Sequence, residues 1–299
     1  MKTISALAFA FALFAVFLVA PVPAAQQPGV GGGRDLAAEA AAARKQSEQK
    51  TPIPRMKDGK PDFTGMWRPS GIGATFAWEA HPAGFGTASE GPSIIGDPAD
   101  GILPYQPWAV KERERRRRPE SAYEENSAKC TITGMPRLLV YVFSIQQYPD
   151  KVVAFHATSN IATRSVRFDK RPPLPGAIRM WMGDPRAHWD GDTLVIETTN
   201  LNGESWLNLG GDVMSDAMHL TERYRMLNAT TMSLEVTVND PKVFTRPWTM
   251  KFPGPHVRVG TTVVNDQEFD FEDSCLEGNA DLVHFKNMYD AARAKSGAR

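Results

Sequence analysis

A succession of short runs of β-branched and aromatic residues fills the second half of the chain, and it constrains the fold more than any other feature. The first two runs, residues 138–145 and 152–157, are separated by Pro149 and Asp150, which is typical of a hairpin. Further runs occupy residues 163–168, 188–199, 219–226, 232–238, 244–252 and 268–273. Short strands with hardly any helical periodicity predict a mainly β domain, either an antiparallel meander barrel or a β-sandwich.

The sharpest local signal is Asp190-Gly191-Asp192, which separates two of these strand-like runs. An Asp-Gly pair favours a tight hairpin because such a turn requires a positive φ, which glycine adopts without steric cost. The two carboxylates also suggest calcium, but the turn explains them without a metal. The sequence therefore predicts a hairpin here and no metal site.

The N-terminus predicts export. Lys2 precedes an apolar run at residues 4–20, followed by prolines and by Ala24 and Ala25, which is the pattern of a cleavable secretory signal over residues 1–25. The alternative is an uncleaved anchor, because the run approaches the shortest length that spans a bilayer. No later run is long enough to span one, so we predict a periplasmic or secreted protein without a membrane span after cleavage.

Composition divides the rest of the chain. Residues 26–60 are rich first in glycine, then in alanine, glutamate and lysine, then in proline, and predict a flexible tether. The β domain is predicted over 61–279, beginning with a long covering loop to about residue 108, and a C-terminal helix or tail over 280–299. The arginine run at 111–118 predicts a solvated helical turn.

Charge and cysteine usage limit the classes of function. The chain has 34 basic and 34 acidic residues, so no overall field attracts it to nucleic acid. Its two cysteines, Cys130 and Cys275, predict a disulfide in an oxidising compartment. Closing a loop of this length would destabilise the unfolded state by about 5 kcal/mol in the chain-entropy model.

Two resemblances extend these predictions. Residues 63–67 (FTGMW) resemble the Gly-x-Trp opening of lipocalin-like barrels, where the tryptophan closes the barrel floor. Residues 189–195 (WDGDTLV), 219–224 (HLTERY) and 245–249 (TRPWT) are similar to a large group of secreted bacterial proteins of unassigned function. That resemblance implies one extracytoplasmic domain with a two-cysteine layout, and it implies no reaction.

Strand alternation places Glu222 among apolar residues. In the run 219–226, Leu220, Glu222, Tyr224 and Met226 share one face, opposite His219. A carboxylate in such surroundings is either paired with a cation or protonated at a raised pKa. The structural alternative is an ion pair, with Arg164, Arg223 and Arg246 as the candidate partners.

Histidines near Glu222 would allow acid and base catalysis. His156, His188 and His219 are candidates, because histidine titrates near neutrality and can exchange protons with a desolvated carboxylate. The alternative is that they are structural. No zinc spacing, nucleophile motif, phosphate loop or dinucleotide fingerprint is present, so we predict no organic cofactor.

The leading prediction for function is an exported barrel that binds a small, largely apolar molecule. Candidate ligand contacts are Arg164, Tyr224, Trp206 and Trp248, since aromatic side chains with polar tips line such pockets. The rival is a cofactor-independent hydrolase, lyase or isomerase that uses Glu222 with a histidine. The third possibility is an envelope interaction protein whose aromatic loop, residues 71–108, contacts a partner.

Overall fold

A computed structural model of the protein is mainly β, as predicted. It describes residues 35–72, 77–81, 91–148, 152–157, 162–168, 172–260, 262–264 and 267–269. The predicted signal over 1–25 and the C-terminal helix over 280–299 lie outside these residues, as does Cys275. The Cys130–Cys275 disulfide therefore stays a prediction.

Strands dominate the described part of the chain, with a few helices between them. The helices are α1 (Leu36–Ser47) and α2 (Pro107–Arg116), with 3-10 turns at Pro119–Glu124, Ser127–Lys129 and Arg137–Val140. The strands of the main sheet are β1 (Gly65–Arg68), β2 (Ile95–Asp97), β3 (Phe143–Gln147), β4 (Val152–Ala157), β5 (Ala162–Arg167), β6 (Asp184–Asp190), β7 (Thr193–Thr199), β8 (His219–Met226), β9 (Thr231–Asn239), β10 (Trp248–Lys251) and β11 (His256–Val259). A separate ribbon contains β12 (Thr262–Val264) and β13 (Gln267–Phe269).

The main sheet curls strongly into a half-barrel. Its strand order is β11-β1-β3-β4-β5-β6-β7-β8-β9-β10-β2, and β11 also pairs with the first residues of β9. The strands from β3 to β9 follow the chain order, as the predicted meander requires. One junction differs, because β5 and β6 are parallel and share a single registered pair, Arg167 with Arg186.

Burial along the strands confirms the predicted alternation. In β8, Leu220, Glu222, Tyr224 and Met226 are buried, whereas Arg225 is exposed. β8 pairs with β7 on one side and β9 on the other, and the apolar residues of these strands form the centre of the core. The two faces of the curled sheet are therefore chemically distinct.

The predicted hairpin at Gly191 is confirmed. β6 and β7 pair from Asp184 with Thr199 to Asp190 with Thr193, which leaves Gly191 and Asp192 as the loop. Gly191 has φ +60°, where an L side chain would be strained.

The first strand places Trp67 inside the sheet. Its ring is fully buried, and its indole N–H donates to the Phe63 carbonyl oxygen at 2.8 Å. The Arg258 guanidinium stacks on the ring at 4.9 Å. Phe63 in turn packs against Trp189 and Tyr224, with ring centroids 6.2 and 6.4 Å apart. The Gly-x-Trp segment thus fills part of the interior with aromatic rings.

The prediction of a flexible tether is wrong where the structure describes residues 35–60. Helix α1 buries Ala40 and Ala43, and the Asn228 side-chain amide donates to the Gln46 carbonyl oxygen at 2.7 Å. A β-carbon added to Gly71 would lie 2.6 Å from that of Ala40, so the backbones approach closely. The sequence offered no broad apolar stripe, but small residues pack the helix without one.

Two further predictions need correction. The arginine run is only partly solvated, because Arg113 is 12 % exposed and Arg116 is 14 % exposed. Residues 137–140 form a 3-10 turn rather than the start of a strand, and the chain enters β3 at Phe143. All four residues of that turn are buried, which a strand with one solvated face does not allow.

We expect Ala40→Leu to undock α1. The added carbons have no room against Gly71, so the free energy of unfolding should fall by about 1–3 kcal/mol. Ala41→Leu is the matched control, because Ala41 is exposed, and its effect should stay within about 0.5 kcal/mol. Thermal denaturation and limited proteolysis within residues 48–60 would measure both effects, and equal behaviour of the two variants would contradict the docking.

Candidate functional site

A buried polar cluster lies inside the curled sheet and is the candidate functional site. Strand β5 supplies Arg164, β7 supplies Thr198, and β8 supplies Glu222 and Tyr224. Arg164 Nη1 and Nη2 donate to Glu222 Oε2 and Oε1 at 2.9 and 2.7 Å. Arg164 also donates to the Thr198 hydroxyl, and the Tyr224 hydroxyl donates to Glu222 Oε2 at 2.7 Å. We call these four residues the Arg164 cluster.

Burial and charge set the protonation states within the cluster. The side chains of Arg164 and Glu222 are both fully buried. Burial opposes the positive charge of Arg164, but the carboxylate of Glu222 raises the pKa of the guanidinium above its ordinary value. Burial also raises the pKa of Tyr224 well above its usual range, and the neighbouring Glu222 adds to this effect. The cluster is therefore a charged pair capped by a neutral phenol.

Apolar side chains surround this cluster. Glu222 pairs with Ile196 of β7 and Val236 of β9, which are both fully buried. The Phe63 ring meets the Tyr224 ring edge to face. Sites for small molecules are usually lined by apolar side chains and a few polar groups, and the polar groups fix the orientation of the ligand.

Histidines do not accompany Glu222 in the way that the acid and base hypothesis requires. His188 is exposed on β6, and His219 is partly buried on the other face of β8 from Glu222. In the β4–β5 ladder, His156 pairs with Thr163, one position away from the pair of Phe155 with Arg164. The side chain of Glu222 instead forms the ion pair with Arg164 that the sequence left open.

The other two predicted ligand contacts belong to different clusters. Trp248 is fully buried and packs against Trp78 and Phe244, with ring centroids 5.5 and 5.6 Å apart. Trp206 is nearly buried, and the Arg116 guanidinium lies over its ring at 5.3 Å. Of the four predicted contacts, only Arg164 and Tyr224 are brought together.

The sequence did not predict a second polar cluster, in which α2 contacts the loop before β8. Arg113 lies between Glu79 and Asp212, with nitrogen–oxygen distances of 2.5 and 2.7 Å. The Tyr105 hydroxyl donates to Asp212 at 2.9 Å, and burial raises the pKa of this tyrosine well above its usual range. The Asn208 amide donates to the other Asp212 oxygen at 2.5 Å. The paired charges hold α2 against the loop before β8, which indicates a structural role.

His256 is a buried histidine that the sequence did not single out. It lies at the start of β11 between the rings of Phe143 and Phe252, whose centroids are 5.7 and 4.6 Å away. Burial lowers its pKa to about 3, so the folded protein holds a neutral imidazole there. An isolated histidine in the printed sequence gives no sign of this burial.

The described residues contain neither a candidate metal site nor a candidate membrane-spanning helix. No group of three or more His, Cys, Asp or Glu side chains in that part of the chain could hold a metal ion. None of its helices is both long enough and apolar enough to cross a bilayer.

Comparisons with protein-family models, curated proteins and solved structures find no match for the chain. The resemblance to secreted bacterial proteins stays a prediction.

We expect Arg164→Met to reduce the free energy of unfolding by about 3–5 kcal/mol, because it leaves the Glu222 carboxylate buried without its cation. Adding Glu222→Met should recover much of this loss, since the double variant removes both charges. The matched control is Arg223→Met on β8, the strand that also contains Glu222. Its partner is Asp190, and both side chains are largely exposed, so the loss should be under about 1 kcal/mol. Urea unfolding would measure the stability of all three variants. An equal loss of stability in Arg164→Met and Arg223→Met would contradict this account.

We expect His256 to make the protein sensitive to acid. Its pKa is about 6.5 when unfolded and about 3 when folded, so protons favour the unfolded state as the pH falls through this window. This loss of stability is absent above about pH 6.5, increases as the pH falls, and reaches roughly 4 kcal/mol near pH 3.

Unfolding of His256→Phe between pH 7 and 3 would measure this effect. The variant should lose less stability over the range than the wild type, whereas the matched substitution His188→Phe at an exposed site should follow the wild-type curve. Parallel curves for the wild type and His256→Phe would contradict the assignment.

Proposed function

We propose that the protein is an exported carrier or sensor that binds a small, largely apolar molecule inside the curled sheet. The observation that carries the proposal is the Arg164 cluster, a hydrogen-bonded polar group on the inner, apolar face of β5, β7 and β8. A ligand with an apolar body and one polar end would match this composition, because the apolar wall supplies affinity and the polar group supplies orientation.

Export is part of the proposal. Its support is the pattern over residues 1–25 together with the pair Cys130 and Cys275, which suits the periplasm or the exterior of the cell. A carrier in that compartment needs neither a nucleotide nor a redox cofactor, and the sequence has no fingerprint for either.

Catalysis by Glu222 with a histidine has weaker support. Glu222 forms an ion pair with Arg164, and its two side-chain oxygens already accept three hydrogen bonds from Arg164 and Tyr224. A general base must reach the proton that it removes, and this carboxylate is committed to other donors. The binding function is therefore the better proposal.

Native mass spectrometry of protein purified from an exporting host tests the proposal. We expect a mass excess that extraction with organic solvent removes, and reloading with the extract should restore it. Tyr224→Phe should weaken retention about fivefold, the equivalent of one hydrogen bond. Thr221→Val, on the opposite side of the same strand, should leave retention unchanged.

Two results would overturn the proposal. One is a protein that carries no extractable mass in repeated preparations and gains none from the extract. The other is retention that falls equally in Tyr224→Phe and Thr221→Val, because the ligand would then lie outside the interior.

A further inference from the structure

Trp78 and Trp248 form a contact between two buried indole rings. Both side chains are fully buried, and their ring centroids lie 5.5 Å apart with the planes tilted by 54°. Neither indole nitrogen has a hydrogen-bond partner in the part of the chain that the structure describes. A buried indole N–H usually donates to an acceptor, as that of Trp67 does. Two neighbouring buried donors thus remain available to an acceptor.

Strand register places Trp248 on the inner face of the sheet. Residues directly opposite each other on paired strands share a face. Trp248 on β10 is paired with Val238 on β9, and Val238 is paired with Leu220 on β8. Leu220 is paired in turn with Thr198 on β7, and all four residues are fully buried. The indole pair therefore faces the same interior as the Arg164 cluster, three strand spacings or roughly 14 Å away along the sheet.

The chemistry of the two indoles selects an oxygen that only accepts hydrogen bonds. An indole N–H is a donor and cannot accept, so its partner must supply a lone pair. A buried water typically makes about three hydrogen bonds and has two hydrogens of its own to donate. The side chains described beside Trp248, those of Trp78, Phe244 and Val238, offer no acceptor to such a water. A carbonyl or ether oxygen has no hydrogen to donate, and it also avoids the cost of burying a charge.

We propose that the indole pair binds an uncharged carbonyl or ether oxygen of the molecule held in the interior. The inference rests on the proposed binding function and gives that ligand a chemical class. One polar end of the ligand meets the Arg164 cluster, and an acceptor oxygen further along its apolar body meets Trp78 and Trp248. Leu220 and Val238 lie between these two positions and supply an apolar wall for the body.

Two probes of equal chain length test the inference on protein from an exporting host. Methyl ω-hydroxydodecanoate carries a hydroxyl at one end and an ester at the other, whereas tetradecanol carries the hydroxyl alone. Both should bind, since each has an apolar body and one polar end for the Arg164 cluster. We expect the ester to bind about tenfold more tightly in calorimetric titrations, which is the equivalent of two hydrogen bonds.

Variants assign this difference in affinity to the indoles. In the double variant Trp78→Phe with Trp248→Phe, the two probes should bind with the same affinity, because phenylalanine has no N–H. The smaller rings change the interior for both probes alike, so the ratio of the two affinities reports the hydrogen bonds. Trp206→Phe is the matched control: Trp206 is nearly buried, but its ring lies under Arg116, and the tenfold ratio should persist.

Proton NMR of the wild type needs no substitution and gives an answer even where a variant does not fold. The chain has seven tryptophans, and the contact between the two rings identifies their indole signals by cross-relaxation. Both indole N–H signals should move downfield with the ester, because a hydrogen bond to oxygen deshields the donated proton. They should stay in place with tetradecanol.

Four results would overturn the inference. Equal affinity of the wild type for the two probes would leave the interior as a binding site but remove the role of the indoles. An ester preference that persists in the double variant would place the oxygen elsewhere. Binding of neither probe would exclude this ligand class, and a mass excess in native mass spectrometry then tests the binding function separately. A bound water that cross-relaxes with both indole protons and remains after the ester is added would be their acceptor instead.

Discussion

The contact of Arg164 with Glu222 joins parts of the sheet that the backbone joins weakly. Strands β5 and β6 share one registered pair, whereas β7 and β8 are paired along most of their length. The Arg164 side chain extends from β5 to Thr198 on β7 and Glu222 on β8, and so crosses this junction inside the sheet. Because a buried charge is costly without its partner, the pair favours the arrangement in which the strands meet. The contact therefore connects β5 to β7 and β8 on the inner side of the sheet.

The same contact explains how a candidate site and a stabilising interaction coincide. A guanidinium, a carboxylate and a phenol hydrogen-bond to one another in this apolar interior, and these bonds offset the cost of burying them. Their polar atoms also lie at a defined position on the inner face of the sheet, which is otherwise apolar. Stability and ligand orientation would thus draw on the same four side chains.

Local patterns in the sequence predicted most of the strands from β3 to β10, but they did not predict β1, β2, β11 or β12. Alternation in 219–226 predicted which β8 side chains are buried, and Asp190-Gly191-Asp192 predicted the hairpin, because both depend on neighbours in the chain. The sequence limited the possible partners of Glu222 to several arginines. It could not select one of them, because the choice depends on the register across three strands.

Local sequence patterns also could not predict that α1 docks or that His256 is buried. Both depend on residues distant in sequence: Ala40 meets Gly71 and Gly254, and His256 meets Phe143. No local periodicity encodes such contacts.

The position of α1 has a consequence for orientation. The helix bonds to the turn that precedes β9, whereas Lys242 follows the other end of that strand. Nine residues of extended chain separate the two sites by roughly 30 Å. Helix α1 and Trp108, whose indole N–H donates to the Lys242 carbonyl oxygen, therefore lie at opposite ends of one rigid strand.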